Sequence, residues 1–291
     1  MVDKKINPRT EIIKVGIVGC GMMGSSWSQI CAQKGYQVVV SDINNDLLNK
    51  GLTRIKLRLM EDVNKGDLSE QDKDAILTRI TGTTNPQDFF HCDLVIETAT
   101  ESIGLKKRIF ADLDKICPAD VVLATNTSVL SILDMAMVTS RPDRVVGIHS
   151  DPLVFPAIEV IKTLVTSNGT LDISKNFVES LGRYALICID TPGFIANRLL
   201  FPLMFNIVRM LEAGIATRDE LDNASKWFLF FPKGALELMD IAGLDTFVLA
   251  GEALYEQLRE PQYMPPLLLK KMVTAGWLGC KTGKGFYDYE K

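Results

Sequence analysis

The sequence is poor in histidine and has no cysteine pattern typical of zinc binding or thiol redox chemistry. Its 291 residues include two histidines, His91 and His149, and six scattered cysteines that never form a C-x-x-C pair. Zinc ribbons and redox motifs require that local spacing. We therefore expect no metal site and reduced, packed cysteines, and only two residues remain as candidates for histidine chemistry.

Long hydrophobic runs and an excess of positive charge are missing as well. No apolar run reaches about 18 residues, the length of a membrane span, and the charged N-terminal segment MVDKKINPRTE lacks the apolar core of a secretory signal. The formal net charge of −4 argues against a nucleic-acid or anionic-membrane partner. We expect a soluble, cytoplasmic protein that binds neither nucleic acid nor membranes.

The chain does contain a regular alternation of short apolar runs and longer amphipathic stretches. The apolar runs predict strands at residues 12–18, 37–41, 93–97, 121–124, 145–149, 157–161 and 185–189. Helical spacing predicts helices at residues 22–34, 44–64, 69–77, 105–116 and 173–181. After a D-T-P-G segment the pattern becomes helix after helix. We predict an α/β N-terminal Rossmann-type domain with a doubly wound, mostly parallel sheet (residues 1–190), followed by an all-α C-terminal domain (residues 191–291).

A glycine-rich motif lies where the first predicted strand meets the first predicted helix. Gly19, Gly21 and Gly24 form the pattern G-x-G-x-x-G. In a dinucleotide-binding fold the first glycine permits a tight turn, the second lets the backbone approach a diphosphate, and the third allows close helix packing. The diphosphate would then lie on the backbone amides of Met22 and Met23, where the helix dipole favours an anion. The alternative is a purely structural strand–turn–helix.

An acidic residue about 20 positions after the motif is the second mark of dinucleotide binding. Asp42 supplies it at the end of the second predicted strand. Its carboxylate can accept hydrogen bonds from both ribose hydroxyls and would repel a 2′-phosphate. The sequence therefore predicts NAD rather than NADP as the cofactor.

Two polar residues follow later strands. Ser128 comes just after the strand at 121–124, and His149 ends the strand at 145–149. Ligands bind at the carboxyl ends of such strands, so both residues are expected beside the cofactor. Histidine suits removal of a hydroxyl proton because its unperturbed pKa is about 6.5, and Glu159 is the nearest downstream carboxylate that can orient it. Alternatively, Ser128 only caps a helix at residues 129–135.

Eight stretches of the chain, taken together, match one family of enzymes. They are GIVGCGMMGSS, DLVIETATE, ATNTSVLSI, GIH, IEVIK, DTPGFIANRLL, the G-L-D at residues 243–245, and LGCKTGKGFYDY. With these motifs the chain resembles the NAD-dependent L-3-hydroxyacyl-CoA dehydrogenase family over nearly its whole length. The resemblance implies oxidation of a 3-hydroxyacyl-CoA to the 3-oxoacyl-CoA. It also agrees with a homodimer, which the apolar helical C-terminal domain predicts.

The resemblance also implies roles for single residues. His149 would be the general base and Glu159 its orienting carboxylate. Ser128 and Asn197 would hydrogen-bond the substrate oxygens and hold the hydroxyl carbon near the nicotinamide.

Further cofactor contacts follow from the same resemblance. Glu101 and Lys106 match family positions beside the cofactor, and Lys281 in the K-T-G-x-G-F-Y segment matches another. Surface or structural roles remain the alternative for Lys281 and Asn197.

The chain departs from the family pattern in two places. The family reads H-F-F-N-P with twelve positions from histidine to glutamate, whereas this chain reads H-S-D-P with ten positions between His149 and Glu159. Asp151 takes the place of a family asparagine, and the shorter loop leaves the pairing of Glu159 open. The aromatic segment K-W-F-L-F-F-P-K-G-A-L replaces a glycine-rich run. It indicates either a repacked core or dimer surface, or a pocket for a branched or cyclic acyl group.

Three functions are compatible with these residues. The first is oxidation of an acyl thioester. The second keeps the NAD site but acts on a free hydroxy acid, as in dehydrogenases of the sugar-acid or carnitine type. The third is a non-catalytic NAD-binding protein, because the loop after His149 is altered.

Overall fold

The computed structural model describes residues 12–289, so the N-terminal segment judged above for a secretory signal lies outside the described residues. The chain divides into two compact units between Thr191 and Pro192. Among residues 12–289, no helix combines the length and apolar character that a membrane span requires.

The first unit is built on one sheet of eight strands in the order β3-β2-β1-β4-β5-β6-β7-β8. The strands are β1 (Lys14–Val18), β2 (Gln37–Ser41), β3 (Ile80–Thr83), β4 (Leu94–Glu97), β5 (Val122–Thr125), β6 (Val145–His149), β7 (Ala157–Lys162) and β8 (Tyr184–Ile189). All neighbouring pairs are parallel except β6 and β7. The predicted doubly wound, mostly parallel sheet is confirmed.

Six helices connect these strands. They are α1 (Met22–Gln33), α2 (Asn45–Lys65), α3 (Glu70–Thr78), α4 (Ile103–Ile116), α5 (Ile132–Ala136) and α6 (Asn168–Ser180). The strands β1, β2, β4, β5 and β6 are nearly all buried, as continuous apolar runs covered on both faces should be. Trp27 of α1 is fully buried and stacks on Phe177 of α6, which joins the two helices over the sheet.

One strand, β3, is absent from the predicted elements, and several boundaries differ from the predicted ones. β3 reads I-T-G-T and lies at the edge of the sheet, where its two central residues are exposed. A short strand with one buried face and a glycine carries little of the apolar signal used to find the others. Helix α6 begins five residues before the predicted start, at a serine cap that the apolar pattern does not reveal.

The second unit is helical within the described residues. Its helices are α7 (Ala196–Glu212), α8 (Arg218–Phe228), α9 (Ala235–Ala242), α10 (Leu244–Leu258) and α11 (Leu267–Thr274). Phe201 and Phe205 of α7 contact each other edge to face, and Phe201 also packs on Phe247 of α10. All three aromatic side chains are buried, and the predicted all-α C-terminal domain is confirmed.

Candidate active site at the carboxyl edge of the sheet

Glycine occupies the three positions of the G-x-G-x-x-G motif for three different physical reasons. Gly19 has φ of +94°, a backbone conformation that side chains disfavour. A Cβ at Gly24 would lie 1.8 Å from the Gly19 carbonyl oxygen, so this position must stay bare for α1 to pack against the turn. A Cβ at Gly21 would meet no atom of the described residues within 4 Å. The protein itself does not require glycine there, and a ligand that approaches the backbone does.

The start of α1 fits a diphosphate. Its N-cap residue is Gly21, which has no side chain to bond the first amides, and its first turn has no acidic residue. Met22, the first helical residue, is 69% exposed. Exposed amides at the positive end of a helix dipole bind anions. The chain therefore fits a dinucleotide at the motif where the sequence predicts one.

Asp42 stabilises the glycine-rich turn through hydrogen bonds to backbone amides. One carboxylate oxygen accepts a hydrogen bond from the Cys20 amide at 2.9 Å, and the other accepts one from the Ile43 amide at 2.7 Å. Each oxygen keeps a second lone pair for a ribose hydroxyl. Burial, and next the charge of Asp42, raises the pKa of the Cys20 thiol to about 11. The thiol beside the cofactor site is therefore protonated and unreactive at neutral pH.

His149 and Glu159 are in contact despite the shortened loop. Nδ1 of His149 lies 2.7 Å from Oε2 of Glu159, whose side chain is nearly fully buried. The two residues are register partners in the antiparallel pair of β6 and β7. Strand pairing places the carboxylate opposite the imidazole, so removing loop residues beyond the pair does not separate them.

The aspartate of the H-S-D-P loop is tied to helix α1 and balanced by a cation. Asp151 accepts a hydrogen bond from the Ser26 hydroxyl at 3.3 Å and another from the Leu153 amide at 3.0 Å. The Ser26 oxygen in turn accepts a hydrogen bond from Arg58 of α2 at 3.2 Å. Burial lowers the pKa of Arg58, and the charge of Asp151 opposes that shift. The charge introduced by this loop is therefore compensated within the unit.

A buried ion pair that the sequence analysis did not identify lies at the end of β4. Glu97 is fully buried and accepts hydrogen bonds from Lys106 at 2.8 and 2.9 Å, and from the Thr125 hydroxyl at 2.7 Å. Lys106 also donates to the Ala99 carbonyl at 3.1 Å. The only sequence signal is a glutamate that ends an apolar strand, which a buried cation must accompany.

Glu101 continues this network toward the next strand. Its Oε2 lies 3.4 Å from the Lys106 ammonium. Its Oε1 accepts hydrogen bonds from the Thr127 hydroxyl at 2.5 Å and from the Ser128 amide at 3.0 Å. Three residues predicted as separate site residues, namely Glu101, Lys106 and Ser128, are therefore brought together.

The structure decides against the capping alternative for Ser128. Helix α5 begins at Ile132, and its N-cap is Ser131, whose hydroxyl accepts a hydrogen bond from the Asp134 amide at 3.1 Å.

The neighbouring Asn126 has a structural role, because its side-chain oxygen accepts hydrogen bonds from the Trp27 indole at 3.0 Å and the Ser150 amide at 3.4 Å. Asn126 thus joins α1 to the segments that follow β5 and β6.

Two predicted site residues belong to the second unit. Asn197 is half-buried on the first turn of α7, after a turn in which Gly193 and Phe194 both have positive φ. Lys281 forms an ion pair with both carboxylate oxygens of Asp245, at 2.5 and 2.6 Å. Asp245 is the aspartate of the G-L-D motif, so two of the matched motifs contact each other.

Comparison with known proteins gives a consistent result over both units. The model for the NAD binding domain of 3-hydroxyacyl-CoA dehydrogenase matches residues 14–191, and the model for the C-terminal domain of the same enzymes matches residues 193–289. The 3-hydroxybutyryl-CoA dehydrogenase of Mycobacterium tuberculosis is 40% identical over 282 residues, which cover 96% of this chain and 99% of that protein.

More distant relatives and a solved structure agree. The mitochondrial hydroxyacyl-coenzyme A dehydrogenase of Sus scrofa is 36% identical over 287 residues, which cover 95% of this chain and 91% of that protein. The crystal structure of (S)-3-hydroxybutyryl-CoA dehydrogenase from Ralstonia eutropha matches with a TM-score of 0.90 and 39% identity, covering 97% of this chain and all of that one. Two matching domains in the same order, together with the NAD site described above, show that the chain belongs to the 3-hydroxyacyl-CoA dehydrogenase family of NAD-dependent oxidoreductases.

Proposed function

We propose that the protein oxidises the 3-hydroxyl group of a short-chain 3-hydroxyacyl-CoA, with His149 as the general base. The observation that carries this proposal is the contact of 2.7 Å between His149 Nδ1 and Glu159 Oε2 at the carboxyl edge of the sheet. A buried carboxylate that accepts a hydrogen bond from Nδ1–H leaves Nε2 of the imidazole with its lone pair available.

The reaction separates a proton from a hydride. Nε2 of His149 takes the hydroxyl proton while the C–H bond of the same carbon breaks, and the carbonyl forms. NAD held at the glycine motif would supply the acceptor for the hydride that leaves this carbon. Glu159 stabilises the charged imidazolium that results. In the reverse direction the imidazolium returns the proton to the carbonyl oxygen.

Other residues hold the reactants in this proposal. Ser128 and Asn197 hydrogen-bond the substrate oxygens, which fixes the hydroxyl carbon for transfer. Glu101 and Lys106 would lie beside the cofactor, with the buried Lys106 acting through its ion pair with Glu101, and Lys281 would provide a further contact. The bonds that Glu101 makes to Lys106 and to the Ser128 amide support this grouping.

A four-carbon acyl group is the first substrate to test. The relatives from Mycobacterium tuberculosis and Ralstonia eutropha are both named for 3-hydroxybutyryl-CoA. The aromatic residues that suggested a repacked core do not fill one, because Trp227, Phe228 and Phe230 are 77%, 80% and 87% exposed. A branched or cyclic acyl group remains the competing substrate.

The same exposed residues support a homodimer. Trp227 and Phe228 end α8, and Phe230 lies two residues beyond it. Leu199 and Leu249 of the same unit are also strongly exposed. Large apolar side chains exposed on one unit favour burial against a second copy of the chain. Light scattering tests this, and the double variant Trp227→Arg/Phe230→Asp should dissociate the dimer. The six free cysteines accord with a cytoplasmic location, which cell fractionation tests.

The decisive experiment compares a thioester with a free acid. NADH-dependent reduction of acetoacetyl-CoA and of free acetoacetate is measured for the wild type and for His149→Ala. We expect turnover of the thioester only, and a loss of at least about 10³-fold in the variant. Turnover of acetoacetate would favour a free hydroxy acid as substrate. Undiminished activity of His149→Ala would exclude His149 as the base.

A panel of acyl-CoA substrates addresses the acyl group. We expect the highest kcat/KM for short linear chains. A preference for branched or cyclic chains would indicate that the aromatic segment reshapes the acyl pocket. No turnover of any substrate, with intact NADH binding, would favour a non-catalytic NAD-binding protein.

A further inference from the structure

Two carboxylates share one ammonium group at the end of β4. Lys106 contacts Glu97 at 2.8 Å and Glu101 at 3.4 Å. No other ion pair joins any of these three side chains within residues 12–289. The group therefore has one more acidic than basic member.

The excess acidic member is on the outside. The side chains of Glu97 and Lys106 are 0% and 1% exposed, whereas the side chain of Glu101 is 40% exposed. Glu97 takes the two short contacts with the ammonium and also accepts hydrogen bonds from the Thr125 hydroxyl and the Ala99 amide. Because the buried glutamate holds the ammonium, the field of Glu101 toward solvent is only partly cancelled.

The position of Glu101 relates it to the nicotinamide half of a dinucleotide. Neighbouring strands β1 and β4 mark the point where the strand order reverses, and a dinucleotide binds across that crevice. Asp42, at the end of β2, marks the adenosine ribose on one side of it. Glu101 follows β4 on the other side and holds the Ser128 amide, which follows β5. The half of the cofactor that reacts lies on that side.

The two redox states of the cofactor differ in charge at that end. The oxidised nicotinamide ring carries a positive charge that the reduced ring lacks. An acidic side chain nearby attracts the oxidised ring, and the effect on the reduced ring is small.

We propose that Glu101 raises the affinity of this site for NAD⁺ relative to its affinity for NADH, through its charge rather than through a hydrogen bond to the cofactor. The proposal rests on NAD binding at the site described above. Its consequence is directional. Tighter binding of NAD⁺ favours loading of the oxidised cofactor, and NADH, which lacks this attraction, is exchanged more readily for NAD⁺ after alcohol oxidation.

The variant Glu101→Gln tests the charge alone. The amide oxygen of glutamine can still accept hydrogen bonds from the Thr127 hydroxyl and the Ser128 amide, so the local geometry is retained. We expect the Kd for NAD⁺ to rise about five- to tenfold and the Kd for NADH to change less than twofold, measured by calorimetry and by NADH fluorescence.

Ionic strength provides a second readout. In the wild type, the Kd for NADH divided by the Kd for NAD⁺ should fall as salt is raised from about 50 mM to 500 mM. The reason is that salt screens exposed charges and so weakens the attraction of NAD⁺ to Glu101. In Glu101→Gln the ratio should stay nearly constant.

A matched control is available on the same helix. Asp112 of α4 is an exposed carboxylate that contacts Lys115 at 3.6 Å. Asp112→Asn removes one negative charge from α4 and should leave both dissociation constants unchanged. If Glu101→Gln weakens NAD⁺ and NADH by the same factor, or changes neither, the proposal is wrong. If the wild type binds neither cofactor, the proposed function itself fails.

Discussion

Paired carboxylates organise both units of this protein, but they do so in different ways. In the first unit Glu159 contacts an imidazole, and Glu97 and Glu101 share an ammonium group. In the second unit Asp222 and Asp240 bond backbone amides and tyrosine hydroxyls. The first arrangement places groups that can exchange protons or set charge at an exposed edge, whereas the second fastens one segment of chain to another.

The second unit shows the fastening role clearly. Asp240 is fully buried and accepts hydrogen bonds from the Phe286 and Tyr287 amides at 3.0 and 2.9 Å. A Cβ at Gly285 would lie 1.9 Å from an Asp240 oxygen, and a Cβ at Gly279 would lie 2.1 Å from its backbone carbonyl oxygen. Gly279 and Gly285 of the G-C-K-T-G-K-G-F-Y segment thus follow from close packing on one aspartate. Matched motifs can therefore be structural as well as functional.

The largest expected effect breaks the contact at the edge of the first unit. Glu159→Gln should reduce kcat by about 10²–10⁴-fold, because an amide cannot stabilise the imidazolium and can favour the wrong tautomer. NADH binding should change less than twofold, because Glu159 contacts the base and not the cofactor site. Stopped-flow turnover and fluorescence titration measure the two quantities. Wild-type kcat in this variant would contradict the proposed base pair.

A substitution in the glycine motif should affect cofactor binding and leave stability nearly unchanged. Gly21→Ala should weaken NADH binding about tenfold or more, with a change of stability under about 1 kcal/mol, because its Cβ enters open space where the diphosphate is expected.

Gly24→Ala is the matched control for that experiment. Its Cβ would lie 1.8 Å from the Gly19 carbonyl oxygen, so unfolding should become easier by about 1–3 kcal/mol. Urea denaturation and NADH titration are applied to both variants. Equal loss of stability in the two variants would contradict the different reasons given for the two glycines.

A third experiment tests whether the buried carboxylates of the second unit contribute to stability alone and not to cofactor binding. Asp222 accepts hydrogen bonds from the Leu236 amide at 2.7 Å and the Tyr287 hydroxyl at 2.7 Å. Asp222→Asn should lower the free energy of unfolding by about 1–3 kcal/mol, since an amide nitrogen cannot accept these bonds. The Kd for NADH should stay within twofold of wild type. Unchanged stability with weaker cofactor binding would contradict the comparison.

The smallest effect concerns a fastening carboxylate inside the first unit. Burial raises the pKa of Asp114, but hydrogen bonds from the Ser140 amide and from Arg141 outweigh it, so the pKa lies below its ordinary value. A lowered pKa in the folded state adds stability above the unfolded pKa, which is lost as pH falls through the folded value. Asp114→Asn should therefore be less stable than wild type by about 1 kcal/mol at pH 7.

The pH dependence gives the check for that variant. The difference in thermal unfolding between Asp114→Asn and wild type should be constant above about pH 5 and shrink below about pH 4. A difference that is the same at pH 3 and pH 7 would show that the charge of Asp114 does not contribute.

Local sequence patterns predicted most of the fold. Strands β2 and β6 and the start of α1 lie where the apolar runs and the glycine motif predict them. Edge strand β3 was missed because its short, half-exposed sequence lacks an apolar run. The alternative that Ser128 only caps the next helix was wrong, since Ser128 and Ser131 both precede α5 and only backbone geometry distinguishes them.

The sequence by itself determined the cofactor class, the order of the two domains and the candidate base. These features depend on residue type and on spacing within short segments, as in the G-x-G-x-x-G motif and Asp42. Tertiary structure alone decided that Glu159 reaches His149 across the shortened loop, because strand register sets that contact. It also decided that Lys106 makes its short contacts with Glu97, while Glu101 is partly exposed. Burial and side-chain distances depend on the packing of the whole unit and cannot be read from the sequence of one segment.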